Sequence, residues 1–199
     1  MLIRKGIAAA LTMAILGLCG VVFAADLTAP DSDVAVITTN FGKIVIEFYP
    51  NAAPNTVRNF KKLARAGFYD GTKFHRVIKG FMIQGGDPNS KDNDKSNDGT
   101  GDAGYKIPAE FTAIPHTRGI VSMARSASPD SASCQFYIMH GTAAHLNGQY
   151  TVFGHVIEGL NVVDAITKVK VDPKDNPISP VVIKKVTIEK RTTQSAPAQ

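Results

Sequence analysis

The sequence predicts a mainly β domain, in which short strands form a closed barrel or a sandwich capped by two helices. Three observations support this fold class. Runs of β-forming residues are short, turn residues separate them, and apolar residues take helical spacing at only two places. The chain has 199 residues, 44% hydrophobic and 20% charged, and no internal repeat. It therefore suits one domain with a sizeable core.

Eight strands are predicted. Residues 34–39 and 43–49 are rich in Val and Ile and flank an Asn-Phe-Gly turn, so they read as a hairpin. The other predicted strands cover residues 73–78, 81–85, 119–124, 134–139, 150–157 and 181–189.

Two helices are predicted. The first covers residues 54–66, because Pro54 suits a helix start and Gly67 suits the end. Its apolar residues recur at helical spacing, in Val57, Phe60, Leu63 and Ala64. The second helix covers residues 160–169, where an apolar residue recurs every three positions.

The first residues predict a secretory signal peptide, residues 1–24. Two basic residues precede an apolar run at 7–18, and small residues then allow cleavage before Ala25. A retained membrane anchor is an alternative, although the run is short for a bilayer span. A lipid on Cys19 is another, although the preceding Leu18 is bulky. The expected protein is periplasmic, with no stable membrane insertion after cleavage, a linker at 25–33 and a flexible tail at 191–199.

Charge and cysteine content narrow the function. Cleavage removes Arg4 and Lys5 and no acidic residue, which takes the formal net charge from +5 to +3. This mild, scattered charge does not favour nucleic acid as a partner. Cys134 is the one cysteine left, so no intramolecular disulfide is expected.

No motif indicates a metal, a nucleotide or a hydrolase. The polar loop at 87–102 fits an EF-hand template from Asp94, but the twelfth position is Tyr105 and not the bidentate Glu. A solvated loop is favoured there over a calcium site. The histidines lack zinc-helix spacing, and phosphate-binding glycine motifs and the GxSxG elbow are absent from the sequence.

Arg76 is the residue that needs an explanation. It lies within FHRVIKGFMIQGGD, residues 74–87, among β-forming apolar residues. A guanidinium is costly to bury unpaired, so Arg76 must form an ion pair at a rim, reach water, or face a substrate. Strand alternation points it away from His75, while Met82 and Gln84 share a face of the next strand. His75 is expected to be a packed, hydrogen-bonded structural residue.

Three motifs carry a family resemblance. FHRVIKGFMIQGGD, GIVSMARSASPDSASCQFYI (residues 119–138) and HLNGQYTVFGHVIEGLNVVDAI (residues 145–166) closely resemble the cyclophilins, a family of peptidyl-prolyl cis/trans isomerases. The second motif is more similar to the bacterial periplasmic branch. The resemblance covers about residues 34–189. It implies an isomerase domain at 34–190, built as a closed eight-stranded antiparallel β-barrel capped by two α-helices.

The resemblance also implies a substrate groove on the outer face of the barrel. Arg76 would be catalytic and Gln84 would orient the substrate. The implied substrate-binding residues are Phe81, Met82, Tyr137 and Leu146 around the proline ring, Ala124 and Arg125 beside the peptide backbone, Ser126 after them, Gln135 at the floor, and His145 and Tyr150. The alternative for Phe81, Met82 and Leu146 is a role as plain core residues.

Three features depart from the common family pattern. His145 stands where many members have Trp, and Tyr150 where many have His. The loop between Arg125 and Gln135 is one residue longer. These changes leave the catalytic set intact and bear on inhibitor binding and sequence preference.

The implied function is isomerisation of Xaa-Pro bonds during the folding of exported proteins. The expected partners are proline-containing polypeptides and unfolded exported proteins, with no cofactor and no metal, and the expected state is a monomer. The alternative is a noncatalytic proline-peptide-binding chaperone module. Loss of the Arg, the Gln or the aromatic pocket would indicate that module, and the sequence retains all three.

Overall fold

The computed structural model describes residues 26–28 and 31–191. The predicted signal peptide, Cys19 and residues 192–199 lie outside this part of the chain. The fold is mainly β with two α-helices, α1 (Pro54–Arg65) and α2 (Leu160–Ile166). The strands are β1 (Asp33–Thr39), β2 (Lys43–Phe48), β3 (Arg76–Ile78), β4 (Met82–Gly85), β5 (Ile120–Met123), β6 (Phe136–Met139), β7 (Val152–Glu158) and β8 (Ile183–Lys190).

All eight strands belong to one antiparallel sheet in the order β3-β4-β6-β5-β7-β2-β1-β8. The predicted β1–β2 hairpin is confirmed, with Val36 opposite Val45. The N–H of Thr39 donates to the carbonyl oxygen of Gly42 at 2.9 Å. Gly42 has a φ of 136°, which a residue with a side chain rarely adopts.

The expected closed barrel is wrong, because the sheet is an open half-barrel with β3 and β8 as edges. The segments before these two strands meet in a single bridge, Lys73 to Val182. β3 itself has only three residues. The N–H of Val77 donates to the carbonyl oxygen of Asp175 at 2.8 Å. A loop before β8 therefore takes the hydrogen bond that a closing strand would take.

The core lies between the two helices and the sheet. Phe60 of α1 has no exposed surface and contacts four rings at centroid distances of 4.9–5.8 Å. These rings are Phe48, Tyr69, Phe136 and Phe153. The predicted apolar face of the helix is confirmed, since its four residues are buried. Burial of such side chains contributes about 1.5–3 kcal/mol each.

Several elements are shorter than predicted. β3 begins at Arg76 and not at residue 73, because Lys73 donates its N–H to the hydroxyl of Ser90 and Phe74 donates its N–H to the carbonyl of Val181. α2 ends at Ile166 because the next turn is held by i→i+3 bonds. No helix formed by residues 26–28 and 31–191 is both long and apolar enough to cross a bilayer.

A remote carboxylate caps α1. Ala53 at the N-cap has no side-chain cap, and the first turn contains no acidic residue. Glu110 instead accepts hydrogen bonds from the N–H and side chain of Asn55, at 2.9 Å each, and from the N–H and hydroxyl of Thr56, at 2.8 Å each. A negative charge here satisfies free N–H groups and opposes the helix dipole.

We expect Glu110→Gln to lower the free energy of unfolding by about 1–2 kcal/mol, because an amide loses the charge and one acceptor oxygen. Urea unfolding of the two proteins measures the difference. Glu158→Gln is the matched control, because Glu158 is exposed at the end of β7. Equal midpoints for Glu110→Gln and the control would contradict this role for Glu110.

Candidate active site

The site is organised by one row of residues across the sheet. Arg76 of β3 lies opposite Gln84 of β4, which lies opposite Tyr137 of β6. Residues directly opposite on neighbouring strands share a face. Arg76 is therefore aligned with Gln84 and Tyr137, although more than fifty residues separate Gln84 from Tyr137 in the chain.

Beside this row lies an open cavity of about 120 Å³. Its lining contains nine of the twelve predicted site residues, namely Arg76, Phe81, Met82, Gln84, Ala124, Arg125, Tyr137, Leu146 and Tyr150. Met82, Tyr137 and Leu146 belong to a small apolar cluster, separate from the main core. Phe81, Met82 and Leu146, for which a plain core role was the alternative, thus line a cavity that a ligand can reach.

The Arg76 guanidinium is half exposed and lightly held. Its Nε lies 3.7 Å from Oδ2 of Asp175, with side-chain exposures of 43% and 41%. That separation is an ion-pair contact beyond hydrogen-bonding distance, and such exposed pairs are weak. The ion pair that was one alternative for Arg76 is therefore present, as a long contact with Asp175. No other hydrogen bond or ion pair in the described chain engages the guanidinium, so its terminal nitrogens remain available to a ligand.

Gln84 is oriented through Gln135. The Gln135 amide donates to the carbonyl oxygens of Gly99 and Gly101 at 2.9 Å each, which fixes which end of that amide carries nitrogen. Its oxygen accepts from the Gln84 amide nitrogen at 3.0 Å. The Gln84 oxygen is left without a partner among the described residues, next to Arg76.

A second, polar cavity of about 170 Å³ adjoins the first. The two share Gln84, Ala124 and Arg125. Predicted residues Ser126 and Gln135 line this second cavity. It also contains an ion pair between Lys106 and Asp102 at 2.6 Å, which the sequence did not indicate.

Arg125 forms the boundary between the two cavities. Its guanidinium lies 4.6 Å from the Tyr150 ring centroid, a cation–π distance. It also donates to the carbonyl oxygens of Gln149, Ser126 and Ala127 at 2.9–3.1 Å. The neighbouring Ala124 N–H donates to Gln135, so the carbonyl of Ala124 is the group left for pairing with a peptide.

His145 lies at the rim and not in the pocket wall. It is exposed and stacks on Phe81 with a centroid distance of 6.0 Å and an interplanar angle of 28°. The family resemblance predicts that His145 contacts the substrate. In the structure His145 does not line the cavity itself but packs on Phe81, which does.

A polar network lies beside Tyr137, whose ring stacks on that of His116 at 6.1 Å. Ser122 pairs with His116 Nε2 at 3.0 Å, and His116 Nδ1 pairs with Asn147 at 3.2 Å. Burial lowers the pKa of His116. Ser122 has no exposed surface, so this Ser–His pair cannot act on an acyl substrate. Nearby, the buried Tyr137 hydroxyl has no hydrogen-bond partner among the described residues, and burial raises its pKa well above the usual range.

The expectation for His75 is half wrong. It is packed, with 5% exposure, as the sequence predicts. Neither ring nitrogen has a hydrogen-bond partner among the described residues. Burial lowers the pKa of His75, which favours the neutral ring.

The described residues hold no group of three or more His, Cys, Asp or Glu side chains that could bind a metal ion. In the polar loop that suggested calcium, Asp87 accepts hydrogen bonds from the backbone N–H groups of Asn89 and Gly99. Cys134 is buried, and burial raises the pKa of its thiol to about 12, so it remains protonated.

Comparison with known proteins agrees with this geometry. Residues 34–188 match the family model "Cyclophilin type peptidyl-prolyl cis-trans isomerase/CLD". A probable peptidyl-prolyl cis-trans isomerase of Brucella abortus is 44% identical over 171 residues, covering 83% of this chain and 86% of the relative. Peptidyl-prolyl cis-trans isomerase B of Bacillus subtilis is 52% identical over 120 residues, covering 59% and 78%.

A solved structure is also similar. It is a cyclophilin type peptidyl-prolyl cis-trans isomerase of Cryptosporidium parvum, crystallised in the presence of the dipeptide Ala-Pro. Its TM-score is 0.72 at 32% identity, covering 79% of this chain and 99% of that one. With the family model matched over most of the sequence, this chain belongs to the cyclophilin-type peptidyl-prolyl cis-trans isomerases.

Proposed function

We propose that this protein isomerises Xaa-Pro bonds of exported polypeptides in the periplasm, with Arg76 as its catalytic side chain. The observation that carries the proposal is the half-exposed Arg76 guanidinium beside Gln84 and an open pocket with an apolar wall. The second motif, similar to the periplasmic branch, and the predicted leader support the compartment.

The chemistry explains why a guanidinium is needed. Amide resonance gives the Xaa-Pro bond a rotation barrier of roughly 18–20 kcal/mol, so uncatalysed exchange takes on the order of tens to hundreds of seconds. In the twisted transition state that resonance is lost, and the prolyl nitrogen becomes a pyramidal amine that accepts a hydrogen bond. Arg76 can donate to that nitrogen and hold the proline carbonyl with a second N–H.

One such bond is not sufficient for a fast enzyme. A charge-assisted hydrogen bond contributes about 1.5–3 kcal/mol, or roughly ten- to a hundredfold in rate. The apolar wall supplies a second contribution, because the planar amide carries charge separation that water stabilises and a dry wall does not. Met82, Tyr137 and Leu146 are buried and form this wall. The reaction needs no nucleophile, metal or proton transfer.

The direct test is turnover. We expect residues 25–199, treated with a chelator, to accelerate cis/trans exchange of a short Xaa-Pro peptide, measured by NMR exchange spectroscopy. Because the proposed groups are all side chains of this chain, added metal should change the rate little. A rate equal to that of buffer would contradict catalysis. If the peptide still bound, the noncatalytic chaperone module would be the better description.

The compartment is tested separately. We expect the full chain, expressed in a Gram-negative host, to appear in the periplasm beginning at Ala25, because Val22 and Ala24 are the small residues that signal peptidase requires. Mass spectrometry of the periplasmic fraction measures this. Ala24→Phe is the control and should block cleavage. An intact Met1 or a lipid on Cys19 would contradict the signal-peptide interpretation.

A further inference from the structure

Asp175 combines an unusual backbone conformation with a position beside Arg76. It has a φ of 65°, and within residues 26–28 and 31–191 no other non-glycine residue has a positive φ. Such a backbone costs about 1–3 kcal/mol and persists only where the surroundings impose it. Its carboxylate also lies nearest the Nε of Arg76, at 3.7 Å.

The loop around Asp175 is built to impose that conformation. Val171 and Pro177 form a bridge that closes a tight turn. Within the turn, Asp172 accepts hydrogen bonds from the N–H groups of Lys174 at 2.8 Å and Asn176 at 3.0 Å. The N–H of Asp175 donates to the carbonyl of Asp172 at 3.0 Å. The turn is therefore rigid where it carries Asp175.

The turn is also fastened to the elements around the site. The carbonyl of Asp175 accepts from the N–H of Val77, the residue after Arg76, at 2.8 Å. The amide of Asn176 donates to Asp98 at 2.6 Å, and the Lys95 ammonium donates to the carbonyl of Pro177 at 2.6 Å. Both ends of the Arg76–Asp175 pair thus belong to one hydrogen-bonded unit.

We propose that Asp175 is a positioning residue that orients Arg76 for isomerisation. The carboxylate attracts the Nε side of the guanidinium, which leaves both terminal nitrogens to the prolyl nitrogen and the proline carbonyl. A free arginine would sample many rotamers, and restricting them before the substrate arrives lowers the entropy cost of reaching the transition state. This inference rests on the proposed catalytic role of Arg76.

Two substitutions at Asp175 distinguish the effect of the carboxylate charge from the effect of the strained backbone. Asn tolerates a positive φ and keeps the size of Asp, and Gly removes the backbone strain, while both remove the charge. We expect Asp175→Asn and Asp175→Gly each to lower kcat by about two- to fivefold, with KM changed less than about twofold. The effect on kcat is small because an exposed ion pair is weak. Asp94→Asn is the matched control, because it makes the same charge change in an exposed loop.

Two further measurements distinguish positioning from a general structural effect. In an Arg76→Ala background, Asp175→Asn should lower kcat no further, because nothing remains to be positioned. In the free protein, the Arg76 Nε–H NMR signal should exchange faster with water in Asp175→Asn than in the unmodified protein.

An unchanged kcat or an unchanged Nε–H exchange rate in Asp175→Asn would overturn the inference. Full activity in Asp175→Gly, or an equal loss in the Arg76→Ala background, would also overturn it. If the unmodified protein had no turnover at all, the proposed function would be wrong, and the Nε–H measurement, which needs no substrate, would still decide whether Asp175 holds Arg76.

Discussion

Replacing Arg76 with Ala is expected to lower kcat/KM for an Xaa-Pro peptide by about ten- to a hundredfold, because the transition state loses its charge-assisted hydrogen bond. Stability should change by less than about 0.5 kcal/mol, since the side chain is 43% exposed and its one ion pair is long. Exchange spectroscopy measures the rate, and urea unfolding measures the stability.

The matched control is Lys79→Ala. Lys79 is exposed in the turn between β3 and β4 and does not line the pocket. Its removal takes away the same charge three residues from Arg76. The control should retain nearly full turnover, which would exclude a general effect of lost positive charge near the groove.

Arg76→Lys tests the geometry of the catalytic group. An ammonium keeps the charge and loses the planar arrangement of N–H donors, so it cannot hold the prolyl nitrogen and the carbonyl in one plane. We expect only partial rescue relative to Ala. Near-full activity in Arg76→Lys would mean that charge alone is sufficient and that the two-acceptor explanation is wrong.

The existence of each element was predictable because its signals are local. Pro54 and the apolar spacing that follows it identify α1, and alternating or continuous β-branched runs identify the strands. Closure of the sheet is not local. It depends on how the segment before β8 meets β3, and the N–H of Val77 bonds to Asp175 in a turn with no strand pattern. The strand pattern left a closed barrel and a sandwich open, the family resemblance favoured the closed barrel, and the strand pairing of this chain contradicts it.

The site was predicted by resemblance and not by spacing. Alternation predicts that Arg76 and His75 point to opposite faces, but no local rule brings Tyr137 opposite Gln84. The sequence analysis also missed the contacts of Asp175 and Glu110, because these contacts join residues far apart in the chain. Asp175 and Glu110 are ordinary acidic residues in loops, and only the folded chain brings them to Arg76 and to the start of α1.

The second large expected effect concerns His145 and inhibition by a cyclic peptide. The family resemblance implies that Trp at this position contacts cyclosporin, a cyclic peptide drug, through a broad apolar face and one N–H donor. Here the smaller imidazole lies at the rim, stacked on Phe81 at 6.0 Å. We therefore expect the unmodified protein to be inhibited only weakly by the drug. The proline pocket and Arg76 lie deeper, so turnover should not depend strongly on His145.

We expect His145→Trp to tighten cyclosporin inhibition by about tenfold while changing kcat/KM less than about threefold. An indole on Phe81 offers on the order of 50 Å² more apolar surface, at roughly 25 cal/mol per Å². His145→Phe supplies an apolar face without a donor, so it separates contact area from the N–H hydrogen bond. Titration of the drug against all three proteins measures both effects. Tight inhibition of the unmodified protein, or no gain with Trp, would show that other residues of the groove control the affinity of the drug.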